Sequence, residues 1–142
     1  MNLRDLHFPA ELCYHVEHQV WARRREDGAV AVGITALGIR LSGEIYMCRP
    51  KPVGSVVEQG RSLAVVELAK AIVSVKSPVG GKVLQVNPAL ADAPELVHTD
   101  PYGQGWLAVL EPADWVADGQ SLIHGDAVLP AMRRHAALYP DD

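Results

Sequence analysis

LAVVELAKAIVSV, at residues 63–75, decides the fold, because two short apolar runs rich in β-branched residues flank a single lysine, Lys70. Such runs favour β-strands, so this stretch predicts a hairpin with Lys70 at its tip. The turn, Leu68-Ala69-Lys70-Ala71, includes none of the Gly, Asn, Asp, Pro or Ser residues that usually form turns. Turn chemistry therefore does not explain this loop. A lone lysine held on an exposed, rigid loop is what an enzyme requires if it is to attach a group to that lysine.

Short strands separated by glycine and proline turns extend outward from this hairpin in both directions. Asp27-Gly28 predicts a tight hairpin turn, and Pro50 and Pro52 should end the strand that precedes them. Close spacing of short strands is typical of a β-sandwich or barrel, so the predicted fold class is mainly β. The predicted strands outside the lysine hairpin are residues 16–22, 29–34, 44–48, 56–57, 82–87 and 106–110.

Short helices are predicted between and after the strands. Thr35 can cap the first helix, and Asn87 followed by Pro88 is a favourable start for the second. The tail carries apolar residues at helical spacing, which predicts a C-terminal helix packed on the outside of the β-structure. The predicted helices are residues 36–41, 88–97 and 126–138.

Length and composition indicate one domain spanning residues 1–142. Domains usually contain about 100–200 residues, and this chain has 142, of which 49% are hydrophobic. No apolar stretch approaches the roughly 20 residues of a membrane span. The first residues lack the apolar core of a signal peptide. We therefore expect a cytoplasmic protein that does not associate with membranes.

The charge balance argues against nucleic-acid binding. The chain has 17 acidic and 13 basic residues and a formal net charge of −4, whereas nucleic-acid-binding domains usually carry a basic surplus. The run Arg23-Arg24-Arg25 is followed directly by Glu26-Asp27. This pattern predicts a solvated strand end or turn rather than a binding patch.

Cysteines and histidines give little indication of catalysis. Two cysteines, Cys13 and Cys48, are too few for a disulfide framework, so packed thiols are expected, with a redox or sulfur-handling role for Cys48 as the alternative. His15 and His18 have no cysteine or carboxylate cluster at zinc-ligand spacing, so no metal site is predicted. No catalytic triad or phosphate-binding loop is present. These residues therefore indicate no catalytic site.

Several motifs in fixed order resemble the H protein of the glycine cleavage system, a relative of the lipoyl domains of 2-oxoacid dehydrogenases. The most specific is Asp100-Pro101-Tyr102-Gly103-Gln104-Gly105-Trp106-Leu107, and the likeness runs from about His15 to about Gly125. The other motifs are Val32-Gly33-Ile34-Thr35, Gly43-Glu44-Ile45, Val53-Gly54, Val65-Val66-Glu67, Lys70-Ala71, Ser77-Pro78-Val79-Gly80-Gly81, Asn87 and Pro94-Glu95-Leu96-Val97.

This resemblance implies a barrel-sandwich hybrid, the flattened β-sandwich of lipoyl and biotinyl domains, with a core at about residues 14–125. It implies lipoate in amide linkage to Lys70, attached by a lipoate ligase or lipoyl transferase. Glu67 matches the acidic residue that helps this enzyme to recognise the loop. The competing Lys76 and Lys82 lack a Glu three residues earlier. Biotin is disfavoured as the attached group, because biotin domains have a tip that resembles Ala-Met-Lys-Met, whereas this chain has Leu-Ala-Lys-Ala.

The resemblance also assigns fold roles to three glycines, which are Gly33, Gly43 and Gly54. The resemblance implies a carrier protein rather than an enzyme, because lipoamide is a group carrier: the cofactor performs the chemistry while the protein presents it. A carrier needs its arm free on all sides, and we therefore expect a monomer.

The sequence departs from glycine-cleavage H proteins around the lysine. Leu68 and Ala69 replace a polar pair, Ile72-Val73 follow, and Arg49 and Lys51 place positive charge where the family is usually acidic or neutral. In these respects the chain looks most like lipoate-binding paralogues that work with heterodisulfide-reductase-like complexes in bacterial sulfur oxidation.

Three hypotheses therefore stay open. The first is a carrier of sulfur intermediates. The second is a carrier of the aminomethyl group between glycine cleavage enzymes, with reoxidation by a dihydrolipoyl dehydrogenase. The third is an unlipoylated interaction or regulatory module.

Overall fold

The computed structural model describes residues 1–139 and shows two antiparallel sheets with a shared core. Its strands are β1 (Asn2–Leu3), β2 (Leu6–His7), β3 (Cys13–His15), β4 (Val20–Arg24), β5 (Val30–Ile34), β6 (Met47–Pro50), β7 (Val56–Val57), β8 (Ser62–Glu67), β9 (Ile72–Lys76), β10 (Gly81–Val86) and β11 (Ala108–Pro112). Its helices are α1 (Ala36–Ser42), α2 (Leu96–Thr99), α3 (Trp115–Gly119) and α4 (Val128–Ala137).

The large sheet has the strand order β3-β4-β5-β11-β10-β7, and the small sheet has the order β6-β8-β9. A separate hairpin, β1–β2, lies at the N-terminus. The small sheet consists mainly of the lysine hairpin, with β6 paired to its first strand. The predicted mainly-β fold with short helices and a C-terminal helix is confirmed.

The core beneath the lysine hairpin joins the two sheets. Cys48, Ala64, Val66 and Val75 point inward from the small sheet and share one buried cluster with residues of the large sheet, among them Val20. Each valine or leucine buried there stabilises the fold by about 1.5–3 kcal/mol relative to an exposed side chain. The hairpin therefore stands on a rigid base.

The motif at residues 100–107 is a fold determinant. The Asp100 carboxylate accepts a hydrogen bond from the backbone N–H of Gln104 at 2.8 Å, which holds the loop closed. The side-chain amide of Asn87 donates to the carbonyl oxygens of Gln104 and Trp106 at 2.7 and 2.8 Å. These bonds tie the end of β10 to the loop that leads into β11.

The fold roles expected for three glycines have physical causes. A Cβ atom on Gly33 would lie 2.5 Å from the Trp21 indole ring, so only glycine lets these two residues pack. Gly43 and Gly54 have φ angles of +76° and +95°, which side chains rarely tolerate. The structure confirms these three predictions.

The arginine run is a strand end that contacts its own chain. The Arg23 guanidinium donates to the carbonyl oxygen of Tyr102 at 3.2 Å, and Arg24 lies over the Trp115 ring. Arg25 forms an exposed ion pair with Asp27. The predicted strand end is confirmed, with Arg23 half-buried rather than solvated.

Several predicted boundaries are wrong. The strand predicted at 44–48 is β6, Met47–Pro50, which includes the proline that was expected to end it. Pro50 fits because β6 is an edge strand, where one side of the backbone needs no partner within the sheet. The strand predicted at 16–22 begins only at Val20.

The helix predicted at 88–97 is divided into a 3₁₀ turn, Pro88–Ala91, and the separate helix α2. Asn87 caps the first of these, as predicted, by accepting from the N–H of Ala89. The tail helix begins as a 3₁₀ turn, Gly125–Ala127, and continues as α4. None of the helices within residues 1–139 is long and apolar enough to cross a membrane.

Candidate functional site

Lys70 lies at the exposed tip of the β8–β9 hairpin, as the sequence predicted. Glu67 and Ile72 form the last residue pair of the two strands. Beyond them, the backbone N–H of Leu68 donates to the carbonyl oxygen of Ala71 at 2.8 Å. This bond leaves only Ala69 and Lys70 at the turn, so the lysine is presented on a short, closed loop.

The backbone of this loop explains why it lacks turn residues. Residues 68–71 all have negative φ angles. Glycine and asparagine are favoured in tight hairpin turns because those turns require positive φ. The lysine loop makes no such demand, so its side chains are set by other requirements.

Leu68 anchors the loop to the body of the protein. Its side chain is half-buried and packs against the core cluster beneath the hairpin. Ala69, by contrast, is exposed. Of the apolar pair before the lysine, therefore, Leu68 faces inward and only Ala69 contributes to the surface.

Glu67 lies on the solvent side of the small sheet, three residues before Lys70. It is paired with Met47 of β6 on one side and with Ile72 of β9 on the other. Its backbone carbonyl accepts from the N–H of Tyr46 at 2.9 Å, so the residue is fixed even though its carboxylate is exposed.

The outer side of the small sheet is called here the hairpin face, and it comprises Met47, Arg49, Val65, Glu67, Ile72 and Ser74. Successive residues of a strand point to opposite sides, so these six residues share one surface. All of them except Ser74 line a shallow groove of about 60 Å³. The face is thus a slightly concave surface directly beside the lysine loop.

Larger grooves lie elsewhere. Volumes of about 660 and 340 Å³ flank the N-terminal β1–β2 hairpin, and neither is lined by the lysine hairpin. Lys70 is therefore displayed on the surface rather than enclosed. Such an arrangement suits presentation of a group to other proteins better than catalysis in a cavity.

Cys48 is a packed thiol. Its side chain points into the core, is 3% exposed, and burial raises its pKa to about 12. A redox thiol needs thiolate character and access to solvent, and Cys48 has neither. Its burial therefore favours the packed thiol over the redox alternative raised for Cys48. Burial also raises the pKa of Cys13, which is half-buried.

His15 and His18 stack on each other rather than forming a metal site. Their ring centroids are 4.5 Å apart, and the backbone N–H of His18 donates to Nδ1 of His15 at 3.3 Å. Over the part of the chain that the structure describes, no three His, Cys, Asp or Glu residues are grouped so that they could hold a metal ion.

The competing lysines have different surroundings. Lys76 is half-buried within β9, opposite Ser62. Lys82 lies in β10 of the large sheet, opposite Glu111. Neither lysine lies on a hairpin loop, so Lys70 is the better placed of the three for modification.

Comparison with known proteins identifies the kind of protein that shares this fold. The family model described as glycine cleavage H-protein matches residues 12–134. Glycine cleavage system H protein 2 of Aquifex aeolicus is 38% identical over 127 residues, which covers 89% of this chain and 79% of that protein. H protein 3 of the same organism is 35% identical over 130 residues, covering 89% and 81%.

A solved structure agrees with these sequence matches. The crystal structure of a glycine cleavage system H protein from Mycobacterium marinum superposes with a TM-score of 0.69 and 32% identity, covering 75% of this chain and 87% of that one. This match confirms the flattened β-sandwich of lipoyl-type domains.

Proposed function

This chain belongs to the glycine cleavage H-protein family, and we propose that it is a carrier with lipoate in amide linkage to Lys70. Glycine cleavage H proteins carry a lipoyl group covalently attached to a lysine, and they are carriers rather than enzymes. The observation that supports Lys70 as the attachment point is its place at the exposed tip of a closed hairpin. Glu67, three residues earlier, is exposed as well.

The residues of the loop fit the group. The Lys70 side chain is accessible to a modifying enzyme, while Leu68 and the bond from Leu68 to Ala71 hold the backbone in place. Bound lipoate would supply a disulfide that can be reduced, loaded and reoxidised. The protein supplies the tether, which keeps the carried group at an effective concentration on the order of mM near a docked partner.

Attachment requires a separate enzyme. A lysine ammonium is not nucleophilic until it loses a proton, and amide formation needs an activated acyl donor. A lipoate ligase or lipoyl transferase would remove the proton from Lys70 and would supply the activated lipoyl group. Glu67 would be a recognition residue on the rim of the loop. The exposure of the Glu67 carboxylate supports this role.

The partners proposed for this carrier are the glycine cleavage enzymes, and its cargo is the aminomethyl group. In this proposal Lys70 holds the arm while glycine decarboxylase loads it, aminomethyltransferase unloads it and a dihydrolipoyl dehydrogenase reoxidises it. The family match supports this cargo better than the sulfur cargo favoured by the sequence departures. The proposal places the carrier in the cytoplasm with these enzymes.

Loading with labelled glycine tests the cargo. The lipoylated protein is incubated with glycine decarboxylase and glycine labelled at its α-carbon, which stays in the aminomethyl group, and the label retained on the intact protein is measured. Wild type should retain label, whereas Lys70→Arg should retain none. A lipoylated wild-type protein that acquires no label would contradict the glycine cleavage assignment.

A carrier of sulfur intermediates is the second candidate. Arg49 and Lys51, both exposed, favour it, because positive charge beside the arm suits anionic cargo. The matches to H proteins numbered 2 and 3 in one organism also show that related chains occur as several paralogues. Neighbouring genes for a heterodisulfide-reductase-like complex would favour this candidate, whereas neighbouring genes for aminomethyltransferase and glycine decarboxylase would favour glycine cleavage.

A further inference from the structure

We infer that the hairpin face docks a partner enzyme surface that is apolar at its centre and acidic at its rim. The inference rests on the proposed carrier function and specifies the partner surface that the carrier recognises. It is drawn from the exposed apolar residues beside Lys70 and from the cations that border them.

An apolar patch forms the centre of the face. Ile72 is 70% exposed, Val65 is 39% exposed and Met47 is 38% exposed. Met47 and Ile72 flank Glu67 in the row nearest the lysine loop, and Val65 lies in the next row. Exposed apolar residues grouped next to a functional site are typical of protein interaction surfaces.

Three cations lie within or beside this patch, and they are called the basic band. Arg49 is paired with Val65, one row beyond Glu67. Lys51 follows β6 two residues after Arg49, and its backbone N–H donates to the carbonyl oxygen of Leu63. Lys76 is the last residue of β9, two residues after Ser74 on the same side of the strand. At about 3.4 Å per residue, the backbone of Arg49 lies about 7 Å behind the Glu67 row, and its guanidinium lies 3.4 Å from the sulfur of Met47.

The sign of this charge is opposite to that of the chain as a whole. The protein has a formal net charge of −4, yet the hairpin face and the basic band contain three cations and one acid, Glu67. Acylation of Lys70 would remove the charge at the tip but would leave the band unchanged. An acidic partner rim is therefore attracted to this face and repelled by the rest of the molecule.

Such an arrangement suits a carrier that must visit partners quickly. Charges at the rim of an interface raise the association rate and fix orientation more than they raise affinity. Their effect extends over a Debye length, about 8 Å at physiological ionic strength, and weakens as salt is added. The apolar patch makes the contact, while the basic band guides the encounter.

Charge reversal tests the inference. The double variant Arg49→Glu/Lys51→Glu is compared with Arg133→Glu/Arg134→Glu, which makes the same charge change at exposed positions of α4. The KM of the glycine decarboxylase from the same genome for each lipoylated carrier is measured at low and at high salt. The hairpin-face variant should raise KM about tenfold at low salt, with kcat unchanged and with the effect lost at high salt.

The control variant should stay within about twofold of wild type at both salt concentrations. Ile72→Gln should raise KM by a similar factor at low and high salt, because it removes apolar contact rather than charge. Equal KM values for the two double variants would overturn the inference while leaving the carrier function intact. A wild-type lipoylated carrier that glycine decarboxylase does not load would overturn the inference together with the glycine cleavage assignment on which its partner depends.

Discussion

The backbone N–H of Leu68 donates to the carbonyl oxygen of Ala71 at 2.8 Å and closes the loop that holds Lys70. The side chain of Leu68 packs against the core below, so one residue fixes the loop through both its backbone and its side chain. Lys70 therefore extends into solvent from a fixed point. A group attached to Lys70 would therefore be tethered at a fixed position on the protein surface.

Replacing Leu68 should loosen the fold beneath the lysine. Leu68→Gln places a polar amide against the apolar core, and we expect a loss of about 1–2 kcal/mol in the free energy of unfolding. Ala69→Gln, at the exposed neighbouring position, should change it by less than about 0.5 kcal/mol. Urea unfolding measures both values, and equal losses would contradict the anchoring role of Leu68.

Gly33→Ala should destabilise the protein by about 1–3 kcal/mol, because the new Cβ would lie 2.5 Å from the Trp21 ring. Gly119→Ala is the matched control, since a Cβ there would meet nothing within 4 Å. The control should leave the unfolding free energy unchanged or slightly raised. Thermal unfolding of the two variants checks the prediction, and a stable Gly33→Ala protein would show that Trp21 can move aside.

Cys48 should resist thiol reagents while the protein is folded. Its burial raises the pKa to about 12, so at neutral pH the thiol is protonated and inaccessible. Cys13, which is only half-buried, should react first. Labelling of Cys13→Ser and Cys48→Ser proteins before and after denaturation separates the two thiols. Rapid labelling of Cys48 in the folded Cys13→Ser protein would restore a redox role.

The free energy of unfolding should decrease as the pH is lowered from about 7.5 to about 5.5. Burial, with a contribution from His18, lowers the pKa of His15, and burial also lowers that of His135. A histidine with a folded-state pKa below its unfolded value of about 6.5 favours the folded state while neutral. That advantage is lost as the pH drops through 6.5 toward the folded-state pKa.

Substitution of these histidines checks the pH dependence. The double variant His15→Gln/His135→Gln should show a smaller fall in unfolding free energy over the same range than wild type does. Urea unfolding at several pH values provides the measurement. An unchanged pH profile in the variant would assign the loss of stability to other groups.

Local signals predicted much of the fold because they depend on near neighbours. Thr35 caps α1 by accepting from the N–H of Gly38, and Asn87 caps its turn, as their positions in the sequence indicated. The lysine hairpin was evident from its β-branched flanks. The position of Pro50 within β6 was not evident from the sequence. A proline is tolerated there because β6 is an edge strand, and only the sheet order reveals that.

The short elements at the N-terminus also depend on tertiary contacts. Phe8 and Leu12 are fully buried against Met132 of α4, although the segment around them carries no strand pattern. The inward orientation of Leu68 could not be predicted from the sequence for the same reason. Its apolar character was visible, but the core that receives it comes from distant parts of the chain.

The intact mass of the protein after co-expression with a lipoate ligase tests the central claim most directly. Wild type, Lys76→Arg and Lys82→Arg should each gain one lipoyl group, and Lys70→Arg should gain none. Glu67→Gln should slow the attachment without abolishing it. A wild-type protein that remains unmodified while a known acceptor is lipoylated in the same cells would contradict the carrier function and favour an interaction module.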